Sequence, residues 1–117
     1  MTIRNALASL AVRNLDAAEP WYRQLLGRPG HRAMQEVAEW KFDGGGGLQV
    51  YQFPERAGTC SCTLAVEDLD SEAARLVSLG INARCRTEDE RVRTVMIADP
   101  DGNSIALAEA IDPTLLR

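Results

Sequence analysis

The sequence is poor in the residue types that most often carry redox, metal or stacking chemistry. Its 117 residues include one histidine and three cysteines, and aromatic residues make up only 5%. No apolar run approaches the roughly 20 residues that a transmembrane helix needs, and the first residues lack the layout of a signal peptide. We therefore expect a cytoplasmic protein with reduced thiols and no membrane partner, rather than a secreted disulfide scaffold.

Positive charge is also in the minority. Thirteen lysines and arginines stand against seventeen acidic residues, so the net charge is −4. Proteins that bind nucleic acid usually have the opposite balance. The arginines between residues 84 and 93 surround the acidic residues 88–90, which indicates a solvated turn of mixed charge. We therefore expect no nucleic-acid partner.

The most informative feature of the sequence is an internal repeat. Leu-Ala-Val-Arg-Asn-Leu-Asp at residues 10–16 recurs as Leu-Ala-Val-Glu-Asp-Leu-Asp at residues 64–70, with five of the seven positions identical. Each copy joins an apolar strand to a helical pattern that ends in Leu-Gly, at Gly27 in the first copy and at Gly80 in the second. Self-similarity of this kind predicts two copies of one supersecondary unit.

Both helices carry start and stop signals. Asp16 is predicted to cap the first helix, with Glu19 three residues later as in a capping box. Gly27 and Gly80 stand where a left-handed residue commonly ends a helix. A period of 3.6 residues predicts the apolar faces. These consist of Trp21, Tyr22 and Leu25 in the first helix and of Ala73, Leu76, Val77 and Leu79 in the second.

Three strand-like segments follow each helix, separated by glycine-rich or proline-containing turns. They cover residues 31–34, 37–42 and 48–53 in the first half and residues 81–85, 92–98 and 104–109 in the second. Each half therefore has the order strand, helix, strand, strand, strand. We expect one α+β domain over residues 1–117, made of repeat 1 (1–54) and repeat 2 (59–112) with a linker at about 54–58.

Strand alternation sorts the side chains between the two faces of each sheet. One set is apolar and is predicted to pack under the helices: Leu10, Val12, Leu48, Val50, Leu64, Val66, Ile105 and Leu107. The opposite set is small or polar: Ser9, Gln49, Tyr51, Ser61, Thr63 and Ala106. Polar groups among small residues on a sheet face leave room for a small molecule.

Two segments carry a family resemblance. Leu10–Gly27 is similar to the opening strand and helix of the glyoxalase/bleomycin-resistance (vicinal oxygen chelate, VOC) superfamily, and Asp99–Glu109, with its Asp-Pro-Asp-Gly-Asn turn, resembles that family's last hairpin. With the repeat, the resemblance covers nearly the whole chain. It implies two βαβββ modules whose curved half-sheets enclose a cleft, and it implies a homodimer, swapped or unswapped.

The resemblance also implies a divalent metal in the enzymes of the superfamily, held by four side chains on the first and last strand of each module. Matched position by position, these fall on Leu7, Gln49, Ser61 and Ala106. Leucine and alanine have no donor atom, and a serine hydroxyl is a poor ligand for zinc, iron or nickel. We therefore expect no metal and no cofactor, which argues against glyoxalase or extradiol-dioxygenase activity.

Six side chains form the candidate ligand-binding set: Ser9, Trp40, Gln49, Tyr51, Ser61 and Thr63. The polar members also suit a dimer interface or a solvated sheet face, and both alternatives stay open. Trp40 lies on a strand whose face the pattern does not fix, so stacking on an aromatic ligand and a place in the core are both possible. No catalytic residue is assigned, because the lone His31 beside a Pro-Gly turn is typical of a structural histidine.

These observations favour a metal-free homodimer that binds a small molecule. Within the superfamily, the precedent is the antibiotic-sequestering, bleomycin-resistance type of protein, and this is an analogy at the level of the fold. The alternative is an enzyme of the same superfamily, a lyase, isomerase or dioxygenase, with a non-standard or absent metal site. A dimerisation module without a ligand is the third hypothesis.

Overall fold

The computed structural model describes residues 2–111 and has an α+β fold. The element order is β1 (Leu7–Val12), α1 (Leu15–Leu26), β2 (His31–Met34), β3 (Val37–Lys41), β4 (Gly47–Gln52), β5 (Ser61–Ala65), α2 (Leu69–Ser78), β6 (Cys85–Glu88), β7 (Val92–Ala98) and β8 (Ser104–Ala110). A 3-10 turn at Pro54–Arg56 occupies the predicted linker. Two βαβββ units are therefore confirmed. Residue 112, the predicted end of repeat 2, lies outside the described residues.

Each unit contains one four-stranded mixed sheet. The strand order is β1-β4-β3-β2 in the first sheet and β5-β8-β7-β6 in the second. The first and last strands of each unit pair in parallel, and all other pairs are antiparallel. Among the described residues, the first compact unit consists of residues 2–60 with the turn 100–103, and the second consists of residues 61–99 and 104–111.

The first helix begins earlier than the sequence predicted. Asn14, rather than Asp16, caps α1 by accepting a hydrogen bond from the amide of Ala17 at 3.0 Å. Asp68 caps α2 in the same way through the amide of Ser71 at 3.1 Å. The capping-box prediction for Glu19 is wrong as well, since its carboxylate binds Arg32 instead.

The helix ends agree better with the prediction. Gly27 is left-handed with φ of 77°, and its amide donates to the carbonyl of Arg23. Gly80 is left-handed with φ of 84°. Glycine reaches this region without the steric penalty that a Cβ atom brings, so both glycines stop their helices at low cost.

The apolar helix faces differ from the prediction in detail. Tyr22 is completely buried, whereas Trp21 is only half-buried. In α2 the predicted core residues Val77 and Leu79 are 39% and 41% exposed. The buried side chains of α1 are Leu15, Ala18, Tyr22 and Leu25, and those of α2 are Leu69, Ala73 and Leu76. The buried stripe of each helix thus begins at the leucine that the two repeats share, Leu15 and Leu69.

One strand is displaced from its predicted position. Residues 81–85 were expected to form a strand, but β6 covers Cys85–Glu88. Asp89 sets the hairpin register, since its Oδ1 accepts hydrogen bonds from the amides of Arg91 and Val92. The same two bonds hold the pKa of Asp89 below its usual value. The four residues before this turn therefore pair with β7.

Equivalent ion pairs tie the first turn of each helix to the following strand. In the first unit, Arg32 reaches Asp16 at 2.7 Å and Glu19 at 2.8 Å. In the second, the repeat-equivalent Arg86 reaches Asp70 at 2.9 Å. These carboxylates stabilise the positive end of the helix dipole as well as the contact with the sheet.

Gly58 supports the most sterically demanding turn in the first unit. It has φ of +88°, and a Cβ atom there would lie 2.5 Å from the carbonyl oxygen of Asp101. Gly27 has a similar φ of +77° but nothing within 4 Å. We expect Gly58→Ala to lower the free energy of unfolding by about 3 kcal/mol and Gly27→Ala by about 1 kcal/mol.

Urea denaturation of both variants measures this difference. Because the two glycines share the left-handed backbone, the excess cost at Gly58 reports the backbone contact alone. Equal losses in the two variants would contradict the contact.

Candidate functional site

The side of the first sheet away from α1, here called the first open face, carries a polar row. Ser9, Gln49, Glu39 and His31 are register partners on four successive strands, so their side chains project on the same side. Neighbouring strands lie about 4.8 Å apart, and the row therefore spans about 14 Å. Gln49 and Glu39 are half-buried, while the residues at both ends are exposed.

Tyr51 lies one row along the same face. Its register partners are Ala11 on β1 and Val37 on β3. The ring of Tyr51 meets that of Phe53 edge to face, with centroids 6.3 Å apart, and Phe53 is 42% exposed. The first open face thus offers hydrogen-bonding groups beside a partly exposed aromatic pair, a combination that suits an amphipathic ligand.

Trp40 does not belong to this face, and its assignment to the ligand-binding set is corrected. It pairs with Leu48 on the helix side of the sheet and is 1% exposed. Its Nε1 donates to the carbonyl of Arg28 at 2.9 Å, and its ring lies 6.1 Å from that of Tyr22. The indole is therefore a core residue with a satisfied polar group.

The second sheet places Ser61 and Thr63 on its own face away from α2. Ser61 pairs with Ser104, and Thr63 pairs with Ala106. Both hydroxyl residues are exposed. The structure thus groups the predicted site residues into two sets, with Ser9, Gln49 and Tyr51 on the first sheet and Ser61 and Thr63 on the second.

The four positions that match the superfamily's metal ligands do not fit a metal. Leu7 and Ala106 present only hydrocarbon, and Leu7 is 41% exposed. Gln49 and Ser61 are left as neutral oxygen donors, which is too weak a set for zinc, iron or nickel. Across residues 2–111, no three His, Cys, Asp or Glu side chains come together in a way that could hold a metal ion.

A groove of about 620 Å³ lies at the β2 edge of the first unit. It is lined by Arg28, Pro29, Gly30, His31, Ala33, Glu39 and Lys41. Glu39 and His31 belong both to the groove and to the polar row. The groove therefore continues the row that begins at Ser9 and Gln49.

Sequence reasoning missed the roles of two half-buried polar residues. Gln52 and Glu109 lie at the ends of the last strands of their units and accept the first amides of the helices, from Leu15 at 3.0 Å and from Leu69 at 2.8 Å. Glu109 also lies 3.3 Å from the guanidinium of Arg93. Because both its oxygens are engaged, Glu109 acts in the structure rather than as a free acid or base. The repeat equivalence of Gln52 and Glu109 was the available signal.

The cysteines differ in their surroundings. Burial, followed by the nearby charge of Asp99, raises the pKa of the half-buried Cys62 thiol to about 11 from an ordinary value of 9.0, whereas Cys85 is exposed. The thiolate is the reactive form. We expect iodoacetamide at pH 8 to modify Cys62 at least about tenfold more slowly than Cys85, as read by peptide mass spectrometry.

The same shift affects stability. The folded Cys62 thiol stays neutral up to about pH 11, while the unfolded thiol ionises near 9.0. Stability is therefore lost as the pH rises through this window, and Cys62→Ser is expected to reduce the loss. Equal alkylation rates at Cys62 and Cys85 in the folded protein would contradict the burial.

The two βαβββ units with polar open faces define a class of α+β proteins. A protein-family model identifies the family within this class. The model of the glyoxalase-like domain matches residues 8–108. The chain belongs to this family. No curated protein sequence matches the chain.

Solved structures agree with the family assignment. A glyoxalase/bleomycin resistance protein from Catenulispora acidiphila is 36% identical, with a TM-score of 0.81 over 90% of this chain and 96% of that one. TnmS3, an antibiotic-binding protein from a Streptomyces species, is 24% identical with a TM-score of 0.78 over 94% and 98%. A bleomycin resistance determinant encoded on the transposon Tn5 is 19% identical with a TM-score of 0.72 over 92% and 98%. The last two likenesses concern the fold alone.

Within the described part of the chain, no helix is long and apolar enough to cross a membrane.

Proposed function

We propose that the chain is a small-molecule binding protein that works without a metal. The observation that carries the proposal is the register of Ser9, Gln49 and Tyr51 on the first open face, beside a groove of about 620 Å³. Hydrogen-bonding groups next to a partly exposed aromatic ring recognise a molecule that is polar on one side and planar or apolar on the other. Ser61 and Thr63 offer two further hydroxyls on the second sheet.

The absence of metal is part of this proposal. The family's metal chemistry needs strong donors, and Leu7 and Ala106 stand at two of the four matching positions. Substitution of donor residues by hydrocarbon removes coordination while leaving the sheet intact. Such a change is compatible with a binding role. A metal acting as a Lewis acid would lack the protein ligands that it needs.

We assign the binding to the antibiotic-sequestering type. TnmS3 is described as an antibiotic-binding protein, and the Tn5 protein is a bleomycin resistance determinant. A fold does not determine a function, and the assignment therefore rests on the polar and aromatic open face together with these precedents. We further propose that the protein acts in the cytoplasm as a homodimer, which its mass in solution would test.

A thermal-shift screen tests the binding proposal. A ligand that binds only the folded state must raise the melting temperature. At a concentration of a hundred times its dissociation constant, it adds about 2.7 kcal/mol to the free energy of unfolding. The screen should contain planar aromatic antibiotics and their polar conjugates. We expect a compound that stabilises the wild type to lose most of its effect in Gln49→Ala and Tyr51→Ala.

Gln35→Ala is the matched control, because Gln35 is exposed in the turn between β2 and β3 and is not among the residues that line the groove. It should keep the full thermal shift. A stabilising compound whose effect survives in both open-face variants would place binding elsewhere and contradict the proposal.

The alternative function is a metal-free enzyme of the same family. The observation in its favour is that His31 and Glu39 are register partners and line the same groove, so an imidazole and a carboxylate face one space. Such a pair supports proton transfer. A compound that binds and is then chemically converted, with conversion lost in His31→Gln and Glu39→Gln while binding persists, would establish the enzyme. Recovery of the bound compound unchanged supports the binding protein.

A further inference from the structure

The groove at the β2 edge carries unpaired positive charge. Arg28 and Lys41 both line it, and neither has a carboxylate partner among the described residues. By contrast, Arg32, Arg86 and Arg93 each form ion pairs with acidic side chains. Arg84 and Arg91 form no ion pair among the described residues either, so what distinguishes Arg28 and Lys41 is that both line one cavity.

Arg28 is held in place at both ends. Its carbonyl accepts a hydrogen bond from Nε1 of the buried Trp40 at 2.9 Å, and its guanidinium donates to the main-chain carbonyl of Lys41. Gly30 packs so tightly under the Trp40 ring that a Cβ atom there would lie 2.7 Å from it. The wall from Arg28 to Gly30 is therefore fixed before any ligand arrives, and preorganisation reduces the entropic cost of binding.

The guanidinium keeps binding capacity after its contact with Lys41. Arginine has five N–H donors in a planar fork, and the contact with a carbonyl uses only part of them. The ammonium of Lys41 adds a mobile donor on the same groove. Glu39 is the one acidic lining residue, and its register partner His31 lies beside it. Arg28, Lys41 and Glu39 together give the lining two positive charges and one negative charge.

We propose that this groove binds the anionic group of a small molecule, a carboxylate or a phosphate. Charge-assisted hydrogen bonds from arginine and lysine are the strongest that such a group can receive from side chains. The assignment rests on the proposed function in one respect, which is that the anionic group belongs to the ligand whose other end contacts Gln49 and Ser9. The groove itself is tested without that ligand.

The experiment is a titration of ¹⁵N-labelled protein with inorganic phosphate at pH 7, at constant ionic strength with chloride as the balancing anion. We expect saturable shifts of the amides that line the groove, at residues 28, 30–33 and 39–41. Lys41→Gln should raise the dissociation constant for phosphate at least about threefold. The double variant Arg28→Gln/Lys41→Gln should raise it at least about tenfold, which is about 1.4 kcal/mol of binding free energy. Lys41→Gln preserves the Arg28 contact, since that contact uses the main-chain carbonyl.

The control is the double variant Arg84→Gln/Arg91→Gln. It also removes two positive charges, but from exposed residues that do not line the groove. It should leave the phosphate affinity within about twofold. Non-saturable shifts in the wild type, or equal affinity in the groove variant and the control, would overturn the proposal.

The outcomes also separate this inference from the proposed function. Phosphate binding in the groove without any small molecule on the first open face would retain the anion site and overturn the proposed function. If a small molecule binds the first open face while the groove binds no phosphate, the proposed function stands and the anion site is overturned.

Discussion

Replacement of Asn103 by leucine is expected to lower the free energy of unfolding by about 4 kcal/mol. Asn103 is completely buried. Its Oδ1 accepts hydrogen bonds from the amides of Gly58 and Cys60, both at 3.0 Å, and its Nδ2 donates to the carbonyl of Ala11 at 2.7 Å. Leucine has a similar shape but satisfies none of these groups.

The magnitude follows from the number of main-chain groups left without a partner. A buried donor or acceptor that loses its only partner costs about 1–3 kcal/mol. Two amides and one carbonyl are affected together. The carbonyl of Ala11 is buried, and the amides of Gly58 and Cys60 are half-buried, so water replaces the lost bonds only in part. The expected loss is therefore a large fraction of the stability of a small domain.

Chemical denaturation followed by circular dichroism measures the loss. Asn82→Leu is the matched control, because Asn82 is exposed and its side chain accepts only one hydrogen bond, from the amide of Arg84 at 3.3 Å. We expect the control to change stability by less than about 1 kcal/mol. A similar small loss for Asn103→Leu would contradict its bridging role.

Replacement of Trp40 by alanine is expected to cost about 4 kcal/mol. The indole is 1% exposed and contacts Tyr22 in α1. Its removal leaves a cavity beside Gly30, which has no side chain to fill it. The carbonyl of Arg28 also loses its hydrogen bond from Nε1. Cavity formation and the lost bond act in the same direction.

Trp21 provides a control of the same residue type. It lies next to Tyr22 with ring centroids 4.9 Å apart, but it is only half-buried. We expect Trp21→Ala to cost about 1–2 kcal/mol, because less apolar area is exposed to water and no enclosed cavity forms. Equal losses at the two tryptophans in urea denaturation would show that Trp40 is not the core residue of the first unit.

Much of the fold could be predicted because it is repeated and periodic. The motif that begins at Leu10 and again at Leu64 predicted two copies of one βαβββ unit. Strand alternation correctly placed Leu48 and Val50 on the buried face of the sheet. The predicted cap was misplaced because Asp and Asn both suit a cap, and the sequence offers two such residues near each start: Asn14 and Asp16, then Asp68 and Asp70. Asn14 and Asp68 prevailed since they let the next leucine enter the core.

The site was less predictable than the fold. Period-2 alternation indicated the open face for Ser9, Gln49 and Tyr51, but it could not orient Trp40, because the register of β3 depends on its pairing with β4. The groove was missed for the same reason. Its lining comes from a loop and two strands that only tertiary pairing brings together, and Arg28 and Lys41 are thirteen residues apart.

We propose that the chain binds a small molecule without a metal, and this proposal can be tested directly. The most direct measurement is the dissociation constant of a compound from the thermal-shift screen, determined by calorimetry for one preparation treated with EDTA and for another supplied with excess zinc, iron or nickel. We expect the same dissociation constant in both preparations, with less than about 0.1 equivalent of metal retained after desalting. Binding that requires the metal, with one equivalent retained, would contradict it.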